Sequence, residues 1–170
     1  DWSFRRSKWF SAIEKECKNV RENVGLLDMT AFAKCRIKGP GAEAFLDKLV
    51  ANKLPKKIGR INLCHALNTK GGVHSEFTIM RESETSFYLV SAGAFQRLDH
   101  DWILKWMPND GSVQFENLTN SNGVLVVAGP KARELMQKVS KDDFSNENFK
   151  WLSSKMGDVG YAPVYAMWVN

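Results

Sequence analysis

Gly71-Gly72-Val73-His74-Ser75-Glu76-Phe77-Thr78-Ile79-Met80 is a glycine turn that leads into a strand with one unusual face. Successive side chains of a strand point to opposite faces of a sheet. One face is therefore predicted to carry Val73, Ser75, Phe77 and Ile79, and the other to carry His74, Glu76, Thr78 and Met80. The second row places the carboxylate of Glu76 within an apolar run. This side chain is either solvated on an exposed face or held in a cleft for a chemical purpose.

The segments around this strand alternate between helical and extended patterns. Apolar residues at helical spacing predict three helices, with the stripes Trp9, Ile13, Cys17, Val20 and Val24, then Ala42, Phe45, Leu46 and Leu49, then Phe95, Leu98, Trp102 and Trp106. Gly25 is predicted to end the first helix. Extended patterns predict strands over 32–38, 61–67, 87–90 and 162–169. This order predicts an α+β fold with a mostly antiparallel sheet and ferredoxin-like split βαβ units.

Two stretches of the chain resemble each other. Ile37-Lys38-Gly39-Pro40-Gly41-Ala42-Glu43-Ala44-Phe45-Leu46 and Val127-Ala128-Gly129-Pro130-Lys131-Ala132-Arg133-Glu134-Leu135-Met136 both read as a strand, a Gly-Pro step and an amphipathic helix. Either one β–α connection is used twice or the chain contains a duplication.

The composition is that of an ordinary globular domain. The chain has 170 residues, of which 44% are hydrophobic and 25% charged, and its net charge is +5. This length suits one domain or two small lobes, with a lobe split near 52–55 and 110–122. No apolar run approaches the roughly 20 residues of a membrane span, so no membrane partner is predicted.

The cysteines indicate a reducing compartment. Cys17, Cys35 and Cys64 are odd in number, lack CxxC spacing and lie within apolar patterns. They are predicted to be reduced core thiols. The expected location is cytoplasmic, or the mitochondrial matrix if the protein is eukaryotic.

Familiar catalytic motifs are scarce. Neither a GxGxxG nor a GxxxxGK[ST] phosphate loop is present, so nucleotide binding has no support in the sequence. His65, His74 and His100 lack the spacing of metal ligands, and no metal site is predicted. A Ser–His–Asp or Cys–His nucleophilic pair stays open, although no nucleophile elbow favours one.

Glu76 is the main candidate for chemistry. Desolvation raises the pKa of a carboxyl group and nearby donors lower it, so a carboxylate in a cleft can hold an amine or shuttle its proton. The alternative is a solvated or structurally paired glutamate. His74, on the same predicted face, is either an exposed hairpin histidine or a partner of Glu76.

A basic loop forms a second candidate. Lys53, Lys56, Lys57 and Arg60 cluster around a proline and a glycine. They are either a solvated loop or a landing site for the anionic tail of a ligand.

Short blocks along the chain occur in a recognisable order. They are Val24-Gly25-Leu26-Leu27-Asp28-Met29-Thr30, Gly39-Pro40-Gly41-Ala42-Glu43-Ala44-Phe45-Leu46, Ala51-Asn52-Lys53-Leu54-Pro55, Gly59-Arg60, Lys70-Gly71-Gly72-Val73, Glu76-Phe77-Thr78 and Val90-Ser91-Ala92-Gly93. In this order they resemble the glycine-cleavage T-protein (aminomethyltransferase) family. The residues of these blocks are most similar to those of the folate-binding halves of dimethylglycine and sarcosine dehydrogenases.

The resemblance implies a three-lobed, clover-like fold that binds tetrahydrofolate as a co-substrate. It also implies transfer of a one-carbon unit to tetrahydrofolate from a small aminomethyl or iminium donor. In the family, an acidic side chain just after the glycine turn contacts the pterin and assists the transfer. Glu76 occupies the similar position, where simple T-proteins usually carry Asp.

The same resemblance implies further folate contacts. Leu54 matches a position that packs against folate, and Ser91 stands where T-proteins often have Asn. The basic residues of the loop would meet the glutamate carboxylates of folate; they are Lys53, Lys56, Lys57 and Arg60.

Residues 1–170 are expected to be the N-terminal portion of a longer folate-binding domain. Family members continue into a Gly-Glu-containing motif and further lobes, so the chain alone is expected to be incomplete. A fused or associated flavin dehydrogenase domain is implied, with no flavin site in this chain.

Two other functions stay open. The first is a non-catalytic folate-binding regulator of the same fold. The second is a basic ferredoxin-like nucleic-acid module, which needs exposed aromatic residues on central strands. Because no RNP-like pattern appears, no nucleic-acid partner is predicted.

Overall fold

The computed structural model describes residues 4–169. Its helices are α1 Phe10–Glu22, α2 Ala42–Leu49, α3 Gln96–Trp106 and α4 Ala132–Val139. Its strands are β1 Gly25–Asp28, β2 Ala33–Lys38, β3 Ile61–Leu67, β4 Val73–Ser83, β5 Ser86–Ser91, β6 Gln114–Asn117, β7 Leu125–Ala128, β8 Ser153–Val159 and β9 Ala162–Trp168. A short 3₁₀ turn, Gly93–Phe95, precedes α3.

Five strands form the main sheet in the order β3–β4–β5–β2–β6, and every neighbouring pair is antiparallel. Strands β5 and β6 therefore run in the same direction on either side of β2, and α3 connects them. This is a split βαβ unit. The predicted α+β class with a mostly antiparallel sheet is confirmed. Two separate antiparallel pairs, β1–β7 and β8–β9, lie outside this sheet.

The main hydrophobic core lies between one face of the sheet and helices α2 and α3. The predicted stripe of α2 is confirmed, since Ala42, Phe45, Leu46 and Leu49 are all buried. They pack with sheet residues such as Phe77, and with Ile103 of α3. We call this side of the sheet the helix side.

Strand β3 turns its small residues to this core. Cys64 and Ala66 are fully buried there, whereas Leu63 is 46% exposed on the other face. The predicted alternation of β3 is therefore right in period, but the larger apolar side chains do not face the main core. Small side chains suit the position beside α2, because interiors are close-packed.

The predicted apolar stripe of α3 is right only for Trp102, which is partly buried against the main core. The buried residues of this helix are Asp99 and Ile103, while Leu98 and Trp106 are about half exposed. Asp99 faces the sheet because its carboxylate accepts hydrogen bonds from two serine hydroxyls there. A buried polar group needs such partners.

A β-bulge at His74 changes the predicted faces of β4. Leu67 pairs with Val73 but Ala66 pairs with Ser75, so His74 is an extra residue in its strand. The His74 ring stacks on Trp102 of α3, with ring centroids 4.1 Å apart. His74 therefore lies on the helix side, and the prediction that it shares a face with Glu76 is wrong.

The opposite face of the sheet is partly covered by the β8–β9 pair. Ile61, Met80, Tyr88 and Leu118 form a smaller core there, against which Leu152 and Met167 pack. We call this side the hairpin side. The predicted half-buried strand at β2 is more enclosed than expected, because Lys34 on the hairpin side is fully buried.

Helix α1 lies outside both cores. It forms over the predicted apolar stripe, yet none of its residues is fully buried. Asn23 caps its C-terminal end, and Gly25 opens β1, so the prediction that Gly25 ends the helix is wrong. No helix within residues 4–169 is long and apolar enough to cross a membrane.

The three cysteines are free thiols, of which two belong to the core. Burial raises the pKa of the Cys35 thiol to about 12 and that of Cys64 to about 11. Both thiols are therefore neutral packing groups near pH 7. Cys17 is exposed on α1, so the prediction of a core thiol is wrong for this residue.

The two similar stretches adopt the same local structure. Strand β2 leads through Gly39 into α2, and β7 leads through Gly129 into α4. Both glycines have positive φ, at 123° and 128°. A Cβ at Gly39 would collide with the carbonyl oxygen of Ser112, and a Cβ at Gly129 would collide with that of Asn23. Only glycine fits this turn.

Candidate functional site

Glu76 lies on the hairpin side of the sheet, directly opposite His65 of the neighbouring strand β3. Glu76 Oε2 is 2.9 Å from His65 Nε2, which is a hydrogen-bond distance. The Glu76 side chain is 59% exposed and that of His65 is 37% exposed. The carboxylate is therefore accessible from solvent and is held at one oxygen.

The surroundings of this pair combine apolar and polar surface. Leu63, two residues before His65, is exposed on the same face, and Thr78 pairs with it across the strands. The loop after α2 follows the edge of the sheet at this point: Ala51 N donates to His65 O at 2.8 Å. Asn52 Nδ2 donates to Leu63 O at 2.6 Å. These bonds fix the edge strand that carries His65.

Lys34 is a buried cation on the same face of the sheet. It pairs with Val90, which in turn pairs with Thr78. Its Nζ donates to Thr30 O at 2.7 Å. Burial lowers the pKa of the Lys34 ammonium, and the charge of Asp28 partly opposes this effect. The lysine adds positive potential beneath the hairpin side.

Arg36, farther along β2, is already neutralised. Its guanidinium makes two hydrogen bonds to Glu82, of 2.6 and 2.8 Å, and one of 3.0 Å to Glu116. The bonds to Glu82 raise the pKa of Arg36 above its usual value. Such a bidentate pair is structural. Arg36 is not free to bind an anionic ligand.

The helix side carries a separate polar cluster around Asp99. The hydroxyl of Ser75 donates to Asp99 Oδ1, and Ser91 Oγ donates to Asp99 Oδ2 at 2.6 Å. Asp99 is only 2% exposed. Ser91, which the resemblance assigns to folate binding, is thus on the opposite side of the sheet from Glu76.

The remaining residues of the predicted site are dispersed. Leu54 is 6% exposed and belongs to the main core. Lys53 lies beside the edge strand, since its carbonyl accepts a 2.7 Å bond from Asn62 Nδ2. Lys56 is on the helix side near Glu43. The hydrogen bond from Arg81 is the main cause that lowers the pKa of the Glu43 carboxyl, and the charge of Lys56 makes a smaller contribution in the same direction.

Arg60 lies beside the segment that precedes and begins β8. Its guanidinium donates to the carbonyl of Trp151 at 3.1 Å. It borders an open pocket of about 230 Å³ that lies against the segment 147–155 and includes Lys155. Lys57 is exposed in the loop. Lys53, Lys56 and Arg60 therefore have different neighbours, and Lys57 shares a turn with Arg60 through the 3.0 Å bond from Arg60 N to Lys57 O. Within residues 4–169, no three His, Cys, Asp or Glu side chains lie close enough to share a metal ion.

His65 is the member of the site that sequence reasoning missed. Counting outward from the 68–72 turn places Ser75 opposite His65, as in a regular hairpin. The bulge at His74 shifts the pairing by one residue and brings Glu76 opposite His65. No local sequence signal marks this bulge.

A family model described as the GCVT N-terminal domain matches residues 1–170. Mitochondrial dimethylglycine dehydrogenase of Mus musculus is 37% identical over 169 residues, which are 99% of this chain and 19% of that protein. The mitochondrial pyruvate dehydrogenase phosphatase regulatory subunit of Mus musculus is 31% identical over 162 residues, which are 94% of this chain and 18% of that protein. The chain spans about a fifth of the length of both relatives.

A solved structure shares the fold. The crystal structure of glycine cleavage system aminomethyltransferase T from Bartonella henselae superposes with a TM-score of 0.72 at 21% identity, over 82% of this chain and 37% of that chain. The predicted fold class and the resemblance are confirmed. The chain belongs to the GCVT N-terminal domain family.

Proposed function

We propose that this chain forms part of an enzyme that transfers a one-carbon unit to tetrahydrofolate, with Glu76 as the acid–base group. Membership of the GCVT family supports the reaction class. The observation that carries the assignment is the accessible carboxylate of Glu76, which is held by His65 on the hairpin side. Glu76 Oε1 has no hydrogen-bond partner among residues 4–169 and is available to a ligand.

The residues around Glu76 suit a pterin ring. Such a ring needs an apolar wall and a few convergent polar groups. Leu63 supplies exposed apolar surface, and Thr78 and Glu76 supply polar groups on the same side. Lys53 lies beside the edge strand β3, where its carbonyl accepts a bond from Asn62 Nδ2 on the helix side. Contact of the four basic residues with the glutamate tail of folate stays a prediction of the resemblance.

Glu76 has a defined role in this reaction. Tetrahydrofolate supplies a nucleophilic nitrogen when it is bound. As this nitrogen bonds to the iminium carbon of the donor, the π electrons of the C=N bond move to the donor nitrogen. Glu76 accepts the proton that the folate nitrogen loses and stabilises the positive charge developing there. The donor nitrogen then takes up a proton and its bond to the transferred carbon breaks, so that the amine leaves with the electron pair. The second folate nitrogen bonds to the same carbon and loses its proton. Holding donor and acceptor together supplies much of the remaining acceleration.

In this proposal, two residues that the resemblance assigns to folate binding, Ser91 and Leu54, support the fold of the site and do not contact folate. Ser91 acts from the helix side by binding Asp99, and Leu54 acts by anchoring the loop that borders β3. Direct folate contact is proposed for Glu76.

The proposal extends to the partner and the location. Because one relative is named a mitochondrial dimethylglycine dehydrogenase, we propose a dimethylglycine-like donor and a fused or associated flavin dehydrogenase domain. The same name supports the mitochondrial matrix as the location if the protein is eukaryotic.

A non-catalytic folate-binding regulator is the second candidate. The relative named as a phosphatase regulatory subunit favours it. The nucleic-acid alternative has less support, since the aromatic rings of Phe77, Phe87 and Tyr88 on β4 and β5 are buried and unable to stack on bases.

Turnover in the intact protein that contains this chain tests the proposal. Dimethylglycine or sarcosine should yield the one-carbon unit on folate when tetrahydrofolate is present, and free formaldehyde when it is replaced by fully oxidised folate. The product would be identified by mass spectrometry. Tight binding of tetrahydrofolate with no folate-bound product would favour the regulator instead.

A further inference from the structure

Among residues 4–169, His65 is the one side chain that makes a hydrogen bond to the carboxylate of Glu76. The contact depends on the register of β3 and β4, in which His65 and Glu76 are direct partners. That register exists because His74 is bulged out of the strand toward α3. The bulge therefore brings together two polar residues that a regular hairpin would offset by one position.

A glutamate at this position needs a second group to hold it. Its long side chain has several rotatable bonds between the backbone and the carboxylate. At 59% exposure, packing alone does not restrict its rotamers. A misplacement of about 1 Å can reduce catalysis by about 10²-fold. The 2.9 Å contact with His65 fixes Oε2 and leaves Oε1 free.

His65 is itself well positioned to act as a fixed donor. Its backbone carbonyl accepts a hydrogen bond from Ala51, so the edge strand is tied to the neighbouring loop. An ionised carboxylate only accepts hydrogen bonds, so His65 donates through Nε2–H to Glu76. The bond orients the carboxylate without using the oxygen that would face a ligand.

We propose that His65 is a positioning residue for Glu76, holding the carboxylate oriented toward the folate nitrogen. This inference rests on the proposed function, because it assigns His65 a role only through Glu76. His65 touches neither the donor nor folate. It restricts the rotamers of the exposed glutamate side chain.

A double-mutant cycle in the intact protein tests this role. His65→Leu should lower kcat for tetrahydrofolate-dependent transfer about 10-fold, a size typical of residues in direct contact. KM for tetrahydrofolate should change little, because His65 does not contact it. His65→Gln, which keeps an N–H near the position of Nε2, should restore most of the rate. In a Glu76→Gln background, His65→Leu should cause no further loss.

The outcomes separate this inference from the proposed function. If Glu76→Gln leaves turnover unchanged, both are wrong. If Glu76→Gln is impaired but His65→Leu multiplies the loss, or if His65→Gln is as poor as His65→Leu, the positioning role alone is overturned. Circular dichroism of each variant reports folding, and if His65→Leu misfolds, His65→Ala takes its place in the cycle. Wild-type kcat in the variant that lacks the donor overturns the positioning role, and a loss of about 10-fold that His65→Gln does not show supports it.

Discussion

Glu76→Gln is expected to lower kcat for transfer to tetrahydrofolate by about 10²–10⁴-fold, the usual contribution of a general acid–base group. Glutamine keeps the size of the side chain and an oxygen that accepts a hydrogen bond from His65. It does not take up the proton that the folate nitrogen loses. Steady-state kinetics of the intact protein would measure the loss, with binding of tetrahydrofolate followed separately.

A matched control is available on α1. Glu14 is also an exposed glutamate with a basic partner, since its Oε1 is 2.9 Å from Lys18 Nζ. Glu14→Gln should leave kcat unchanged, because surface ion pairs contribute little. Equal losses in the two variants, or full activity in Glu76→Gln, would remove Glu76 from the mechanism and favour the non-catalytic regulator.

Asp99→Ala is expected to lower the free energy of unfolding of the chain by about 3–5 kcal/mol, since hydrogen bonds to charged groups contribute about 1.5–3 kcal/mol each. Asp99 is 2% exposed and accepts bonds from Ser75 and Ser91. Its removal leaves the buried hydroxyl of Ser75 and the partly buried hydroxyl of Ser91 without their acceptor. Urea denaturation followed by tryptophan fluorescence would measure the change.

The neighbouring acid on the same helix provides the control. Asp101 is 70% exposed and makes a 3.9 Å ion pair with Arg97. Asp101→Ala should change the free energy of unfolding by no more than about 0.5 kcal/mol. A similarly small effect for Asp99→Ala would mean that Asp99 does not hold the Ser91 hydroxyl on the helix side. Ser91 would then again be a candidate for direct contact with folate.

The face of Glu76 was accessible to prediction because strand alternation is a backbone property. From Ser75 to Met80 the predicted faces hold, with Ser75, Phe77 and Ile79 buried on the helix side. His74 departs from the pattern because the bulge inserts one residue, and bulges have no reliable local signal. For the same reason, the sequence did not predict that His65 lies opposite Glu76.

Burial in helix α3 was not accessible from its sequence alone. Hydrophobic periodicity selects Leu98 and Trp106 as core residues, yet Asp99 faces the sheet. The choice depends on Ser75 and Ser91, which lie on the adjacent strands β4 and β5 of the sheet and outside the helix. Tertiary hydrogen bonds of this kind override local apolar patterns.

The candidate site was likewise predicted only in part. Alternation and the resemblance both identified Glu76, and the structure gives it an accessible carboxylate. The resemblance grouped Leu54, Ser91 and the basic loop with it, but these residues reach the core, the helix side and separate parts of the surface. Sequence blocks show family membership, whereas side-chain direction depends on register and packing.

The position of tetrahydrofolate in a crystal structure of the intact protein tests the central claim most directly. We predict that the pterin lies on the hairpin side against Leu63, with a ring nitrogen at about 3 Å from Glu76 Oε1. His65 should keep its hydrogen bond to Oε2 in that complex. A pterin bound elsewhere, with the carboxylate of Glu76 still surrounded by water, would contradict the assignment.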